Sequence, residues 1–274
     1  MEVGGGRIAY DDTGGNGPLV VCFPGLGDLR ASYRFLRPLL TAAGYRVVTT
    51  DLRGHGESST GWGGYTDTDV AGDVLALVRH LRGAGPAFLA GNSLSGGAGA
   101  YAAAVEPAAV AGLVLLSPFV RDVPQTLAQR LGVRAVTLPV VGPRLWTAYY
   151  ATALYPRRKP DDLDGYRKRL LANLREPGRF EAVRAMALRP GHAAVEARLA
   201  DVEAPALVVV GTKDPDFPDP GAEARLVAER LGSRQTRVLA VEGAGHYPHA
   251  EVPEEVGPAV VGFLDGVMGE GGQR

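Results

Sequence analysis

The sequence predicts an α/β fold, a mostly parallel central sheet with helices on both faces, interrupted by one helical insertion. Three observations predict it. Short aliphatic or β-branched runs alternate with stretches whose apolar residues recur at helical spacing, the pattern of βαβ units. Those runs are continuously apolar, as strands covered on both faces require. The alternation lapses after Pro118 and resumes at Pro205. A chain of 274 residues can bury a sizeable core with an excursion. The expected organisation is therefore a core from residues 1–120 and 201–274 and a helical cap or lid from residues 121–200.

In chain order, strands are expected at residues 7–11, 19–23, 46–50, 87–90, 112–116, 206–210 and 237–241, and helices at 33–43, 69–82, 94–105, 222–231 and 254–267. Within 69–82, Val70, Val74, Leu77, Val78 and Leu81 fall on one stripe. The insertion has helical stretches but no strand-like run, and Pro139, Pro143, Pro156, Pro160, Pro177 and Pro190 break it into pieces. It carries its own apolar and aromatic residues, so it reads as a folded unit and not a linker. There is no internal repeat, and only residues 269–274 form a low-complexity tail.

A net charge of −1 supplies no global field for nucleic acid or a membrane, and neither is an expected partner. The charge is uneven, however. Residues 121–200 hold 15 Lys and Arg against 7 Asp and Glu, and the rest of the chain 14 against 23. The expectation is a solvated, Arg-rich helical surface, with an anionic handle on a substrate left open. No aliphatic run approaches the roughly 20 residues of a membrane span. Residues 1–6 have neither a basic region nor an apolar one, so a cytoplasmic location is expected. Cys22, the only cysteine, excludes an intramolecular disulfide or a cysteine metal cluster and is expected to be a small buried hydrophobe.

The strongest local signal is the run from Ala87 through Gly91-Asn92-Ser93-Leu94-Ser95 to Gly97, a strand leading into small residues around a serine and then into a helix. A nucleophile on so sharp a turn needs small neighbours two residues to either side, and Gly91 and Ser95 qualify. The helix start favours developing negative charge. A glycine-rich turn without a catalytic role fits these residues equally well, so the other parts of the chain decide. A serine hydroxyl needs a base, and the base needs an acid to hold its tautomer. Gly211-Thr212-Lys213-Asp214 follows one late strand, and Gly243-Ala244-Gly245-His246 follows the next.

With Asp51-Leu52-Arg53-Gly54-His55-Gly56-Glu57-Ser58, these segments resemble four recurrent motifs of the α/β-hydrolase superfamily, in the right order and over nearly the whole chain. The resemblance implies a capped, serine esterase-like enzyme with Ser93 as nucleophile, His246 as base and Asp214 as acid. It prefers Asp214 over Asp216 and Asp219 in the same loop, and His246 over His249. It gives His55 and Asp51 an organising role beneath the site. It also implies an oxyanion hole built from the backbone N–H groups of Leu94 and Leu26, with Pro24 replacing the usual histidine and so changing how that loop is braced. His80 and His192 show no partner pattern and are expected to be exposed. The histidines lack metal-ligand spacing, so no metal is expected, and the implied chemistry uses no cofactor.

The implied reaction is hydrolysis of a carboxylic ester, thioester or lactone through an acyl-enzyme. Carbon–carbon hydrolysis, acyl transfer and cofactor-free haloperoxidase-like chemistry are the alternatives, and a ligand-binding protein with vestigial turnover is a third reading. The expected partner is a small molecule with an apolar or aromatic acyl group. Trp146, Tyr149 and Tyr150, from the aromatic-rich stretch 138–155, are the candidate pocket residues.

Overall fold

The computed structural model describes residues 1–81 and 85–271, so the ends of the expected helix 69–82 and tail 269–274 lie outside the described residues. An antiparallel hairpin, β1 (Glu2–Val3) and β2 (Gly6–Arg7), precedes the main sheet. That sheet contains β3 (Tyr10–Asp12), β4 (Leu19–Phe23), β5 (Arg46–Thr50), β6 (Ala87–Asn92), β7 (Val110–Leu116), β8 (Ala206–Gly211) and β9 (Thr236–Val241). The spatial order is β3-β5-β4-β6-β7-β8-β9, parallel throughout except at the β3–β5 edge. The expected strand at 7–11 is split because the chain changes partner. Arg7 pairs with Glu2 in the hairpin, whereas Tyr10 pairs with Thr50 in the main sheet.

The helices of the core are α1 (Leu36–Ala42), α2 (Asp67–Leu81) and α3 (Leu94–Val105), and between β7 and β8 come α4 (Leu127–Val136), α5 (Gly142–Ala153), α6 (Leu163–Leu174), α7 (Arg179–Leu188) and α8 (His192–Glu196). Then follow α9 (Pro220–Arg230), α10 (Pro248–Glu251) and α11 (Pro253–Gly271). The expected helix 33–43 is instead a 3-10 turn over Arg30–Tyr33 followed by α1. Pro38 has no amide to close a turn on Arg34, so the α-helix restarts with the proline in its first turn.

Alternate strand residues feed two core layers. Val21, Phe23, Leu89, Val208 and Val210 pack against α2, α3 and α9, while Val20, Cys22, Ala90, Leu207 and Val209 pack against α1 and α11. Cys22 is fully buried. β9 departs from the two-sided expectation: it is the sheet edge, and Val238 is 40% exposed.

The insertion leaves from the C-terminal end of β7, the sheet edge at which parallel α/β folds carry their ligand sites. Its prolines fall at the predicted breaks. Pro139 lies between α4 and α5, Pro143 in the first turn of α5, Pro177 between α6 and α7, and Pro190 just before α8. A third apolar cluster, including Tyr150, Leu154, Tyr166, Leu170 and Tyr247, joins it to the core. His192 corrects its expectation. It is buried, with Nδ1 2.6 Å from Asp67 Oδ2, because α8 docks onto the start of α2 and brings the imidazole to that carboxylate. His80 is exposed.

Candidate active site

β6 runs straight into Ser93, which caps α3 with φ 58° and ψ −127°. A positive φ is strained for a residue with a Cβ and persists only where its surroundings hold it. Here the Ser93 amide donates to Leu116 O at 2.8 Å, and the Phe119 amide donates to Ser93 O at 3.0 Å. The crowding requires small neighbours. A Cβ on Gly91 would lie 2.3 Å from Ser95 O, and one on Gly97 2.2 Å from Phe119 O. Ser93 is 8% exposed, and its hydroxyl forms no hydrogen bond among the described residues.

Two further loops meet beside it. Asp214 follows β8 and His246 follows β9, both buried, with Asp214 Oδ2 2.8 Å from His246 Nδ1. That contact places the proton on Nδ1 and leaves Nε2 as the basic nitrogen. Gly211 lets the loops touch, since a Cβ there would sit 2.2 Å from Ala244 O and 2.3 Å from Gly245 O. Asn92, next to Ser93, donates from Nδ2 to Leu116 O at 3.0 Å and to His246 O at 3.1 Å, so the serine turn is tied directly to the histidine loop. Buried Glu251 accepts from the amides of Gly245, Arg157 and Arg158, fixing that loop to the end of α5's connection.

Asp216 is a second carboxylate on the imidazole, with Oδ2 3.5 Å from His246 Nδ1 and Oδ1 accepting the Tyr149 hydroxyl. Burial opposes a charge on His246, but Asp214 and Asp216 together outweigh it and hold the imidazole up to about 9. Burial pushes the Asp216 carboxyl up, and the Asp214 charge adds to it, against the pull of His246. Asp219 lies away from this cluster and caps α9 through Ala222 N–H. Asp214, Asp216 and His246 offer ligand atoms within 4.8 Å of one another, so they could share a cation. The 2.8 Å contact itself is that of an N–H···O bond.

The loop after β4 packs onto the serine turn. A Cβ on Gly25 would meet Ser93 Cβ at 3.0 Å. Leu94 is the first residue of α3, so its amide has no intrahelical partner. Pro24 is braced through its carbonyl, which accepts the Ser95 hydroxyl. Gly27 N–H donates to His55 Nε2 at 3.0 Å, and Nδ1 of the same ring lies 2.9 Å from Arg53 O. Burial pushes His55 down to about 4, so it stays neutral and able to accept. Asp51 supports the turn by accepting the amides of Arg30 and Glu57.

The profile of the family described as alpha/beta hydrolase fold matches residues 18–253. This chain belongs to the α/β-hydrolase family. A dihydrolipoyllysine-residue acetyltransferase component of the acetoin cleaving system from Pseudomonas putida is 32% identical over 96% of this α/β-hydrolase and 68% of that protein. Human monoglyceride lipase is 28% identical, over 89% of this chain and 80% of its own. A thermophilic esterase from Thermogutta terrifontis superposes with a TM-score of 0.79 at 28% identity, covering 96% of this chain and 94% of that one. Relatives of the α/β-hydrolase span ester hydrolases and non-ester enzymes, epoxide hydrolases and bromoperoxidases among them.

The candidate pocket residues of this α/β-hydrolase are placed differently from one another. Trp146 is half-buried and donates from Nε1 to Gly27 O at 3.0 Å, beside the loop that carries Leu26. Tyr149 reaches Asp216. Tyr150 is fully buried, and its hydroxyl donates to Asp28 Oδ2 at 3.1 Å, which puts it in the packing between insertion and core. The rings nearest His246 are Phe119, Phe217 and Tyr247, with centroids 6.1, 6.4 and 5.4 Å away. Asp28 is enclosed as a carboxyl bonded by Tyr150, Tyr166 and the Leu29 amide, and burial pushes it up to about 6. Among these, Asn92, Asp28, Glu251, Phe119 and Phe217 carried no sequence signal of a role, because each depends on contacts distant in the chain. His249, the rival to His246, is buried and stacked on Tyr33 at 4.9 Å, with no hydrogen bond to either ring nitrogen among the described residues.

Proposed function

We propose that this protein is a serine hydrolase that cleaves a carboxylic ester, thioester or lactone through an acyl-enzyme at Ser93. The observation that carries it is the strained Ser93 turn held by Asn92 to the loop of a His246–Asp214 pair. Ser93 Oγ attacks the carbonyl carbon while His246 Nε2 takes its proton, and Asp214 holds the Nδ1–H tautomer. The amides of Leu94 and Leu26 receive the oxyanion. As the intermediate collapses, the carbon–oxygen or carbon–sulfur bond breaks and His246 returns the proton to the leaving group. Water, activated by the same nitrogen, then releases the acid and restores Ser93. Every proton is moved by residues of the chain, so no cofactor enters the reaction.

The insertion, residues 121–200, acts as a lid whose Trp146 and Tyr149 face an apolar or aromatic acyl group. Turnover of an ester, thioester and lactone panel by the wild type, and its loss in Ser93→Ala, tests this reading. Equal turnover by the variant would reject it. The likeness to the Pseudomonas putida acetyltransferase component favours one second reading, transfer of the acyl group to an alcohol or thiol. Acceptor-dependent product in place of free acid would establish that.

A further inference from the structure

We infer that the α4–α5 face of the insertion is a docking surface for an anionic lipid bilayer. No residue of α4 is fully buried; Leu127 and Leu131, one turn apart, form an outward stripe, while Val133, Ala135 and Val136 are half-buried. Leu127 and Leu131 share that stripe and are 65% and 53% exposed. Leu138, Val140, Val141 and Leu145 continue it through the turn into α5, and Val140 is 82% exposed. So many exposed large apolar side chains within one short stretch of a folded chain mark an interaction site. The helix begins with a capping box between Thr126 and Gln129 and turns Val133, Ala135 and Val136 inward, which leaves the two leucines uncovered.

The charges around the patch define the occupant. Between Asp122 and Asp161 there is no Asp or Glu. Arginines at the margins of this stretch are paired on the protein, Arg121 with Glu223, Arg157 with Glu255 and Arg158 with Glu254. Arg130, Arg134 and Arg144, which flank the apolar side chains, are exposed and have no ion-pair partner among the described residues. An apolar stripe rimmed by unpaired arginines matches a surface that offers acyl chains below a plane of anionic headgroups. A symmetric contact with a second copy would bring the same arginines face to face. The near-neutral chain as a whole conceals this local field. Among the described residues no helix is long and apolar enough to cross a membrane, so attachment would be reversible and lateral. It would also lie on the outside of a helix whose inner side meets the candidate site, since Leu145 faces out and Trp146 bonds Gly27.

The test is co-sedimentation of the full chain with vesicles of ether-linked lipids, which no esterase can cleave. Vesicles of mixed phosphatidylglycerol and phosphatidylcholine should bind the protein, less so as salt rises, and pure phosphatidylcholine should bind it weakly. Leu127→Ser/Leu131→Ser/Val140→Ser should lower partitioning by at least about tenfold. Arg130→Gln/Arg134→Gln/Arg144→Gln should lower it by roughly fivefold per charge. Both variants should keep the wild-type circular dichroism spectrum, because the substituted side chains are exposed. Absence of binding to the anionic vesicles, or binding unchanged in both variants, would overturn the inference. So would a dimer in sedimentation velocity that the leucine variant dissociates, since a second copy would then cover the patch.

Discussion

Asp216 Oδ2 stands 3.5 Å from His246 Nδ1, so the imidazole faces two carboxylates and not one. In the proposed mechanism His246 acts as neutral imidazole. Because the carboxylates hold His246 up to about 9, its reactive fraction grows as pH rises and is lost as pH falls below that value. In a pH profile of kcat/KM the acid limb should therefore lie well on the alkaline side of an ordinary histidine. Asp216→Asn should move that limb to lower pH by about one unit. An unmoved limb in Asp216→Asn would mean that the second carboxylate does not act on the base.

Asp214→Asn should cut turnover on the order of 10⁴-fold, if the worked serine-protease case transfers, because the Nδ1–H tautomer is no longer held. Asp216→Asn should cost far less. Steady-state kinetics at the pH optimum of each variant separates this loss from the shift of the limb, and a reversed order would put the acid at Asp216.

A fluorophosphonate probe should label Ser93 alone, since in the proposed mechanism that serine has a histidine base and backbone amides to receive an oxyanion. Intact-mass measurement and peptide mapping read the adduct. An adduct on Ser58 or Ser95, or equal labelling of Ser93→Ala, would show a different nucleophile.

Lengthening the acyl chain should raise kcat/KM until the proposed acyl pocket fills, by up to about 0.8 kcal/mol for each fully desolvated methylene. Trp146→Ala should change where the series levels off and, by removing the bond to Gly27 O, should also lower kcat. A chain-length series on both proteins checks this. Identical flat profiles would remove Trp146 from the acyl pocket.

Gly211→Ala should destabilise the fold by about 1–3 kcal/mol and impair turnover together, because its Cβ would drive apart the loops that carry Asp214 and His246. Thermal unfolding and activity of the same preparation read both effects. A variant as stable and active as the wild type would show that the two loops can part without loss.

Much of this was legible before any tertiary contact was known. Continuous apolar runs and helical stripes recur with periods set by backbone geometry, which is why the parallel sheet, α3 and the proline breaks of the insertion could be read from local residues. The motif around Ser93 is local too, since a tight turn needs small neighbours wherever it occurs. The misses share a cause. The strand at 7–11 divides because its two halves pair with different partners, and α1 starts late because Pro38 leaves a carbonyl without an amide. His192 looked solitary because its partner, Asp67, is 125 residues away in the chain.

By itself, then, the sequence determined the order of strands and helices, the turn that presents Ser93, and the loops from which Asp214 and His246 emerge, because each depends on residues adjacent in the chain. Only the tertiary structure decided which polar groups share an enclosed space. It set Asp216 beside His246, Tyr149 on Asp216, Asn92 between two loops, Tyr150 in the packing layer and the leucines of α4 in the open. Those outcomes follow from how the loops at the sheet edge and the insertion pack together, where burial and distance, and not residue type, set each group's charge and partners.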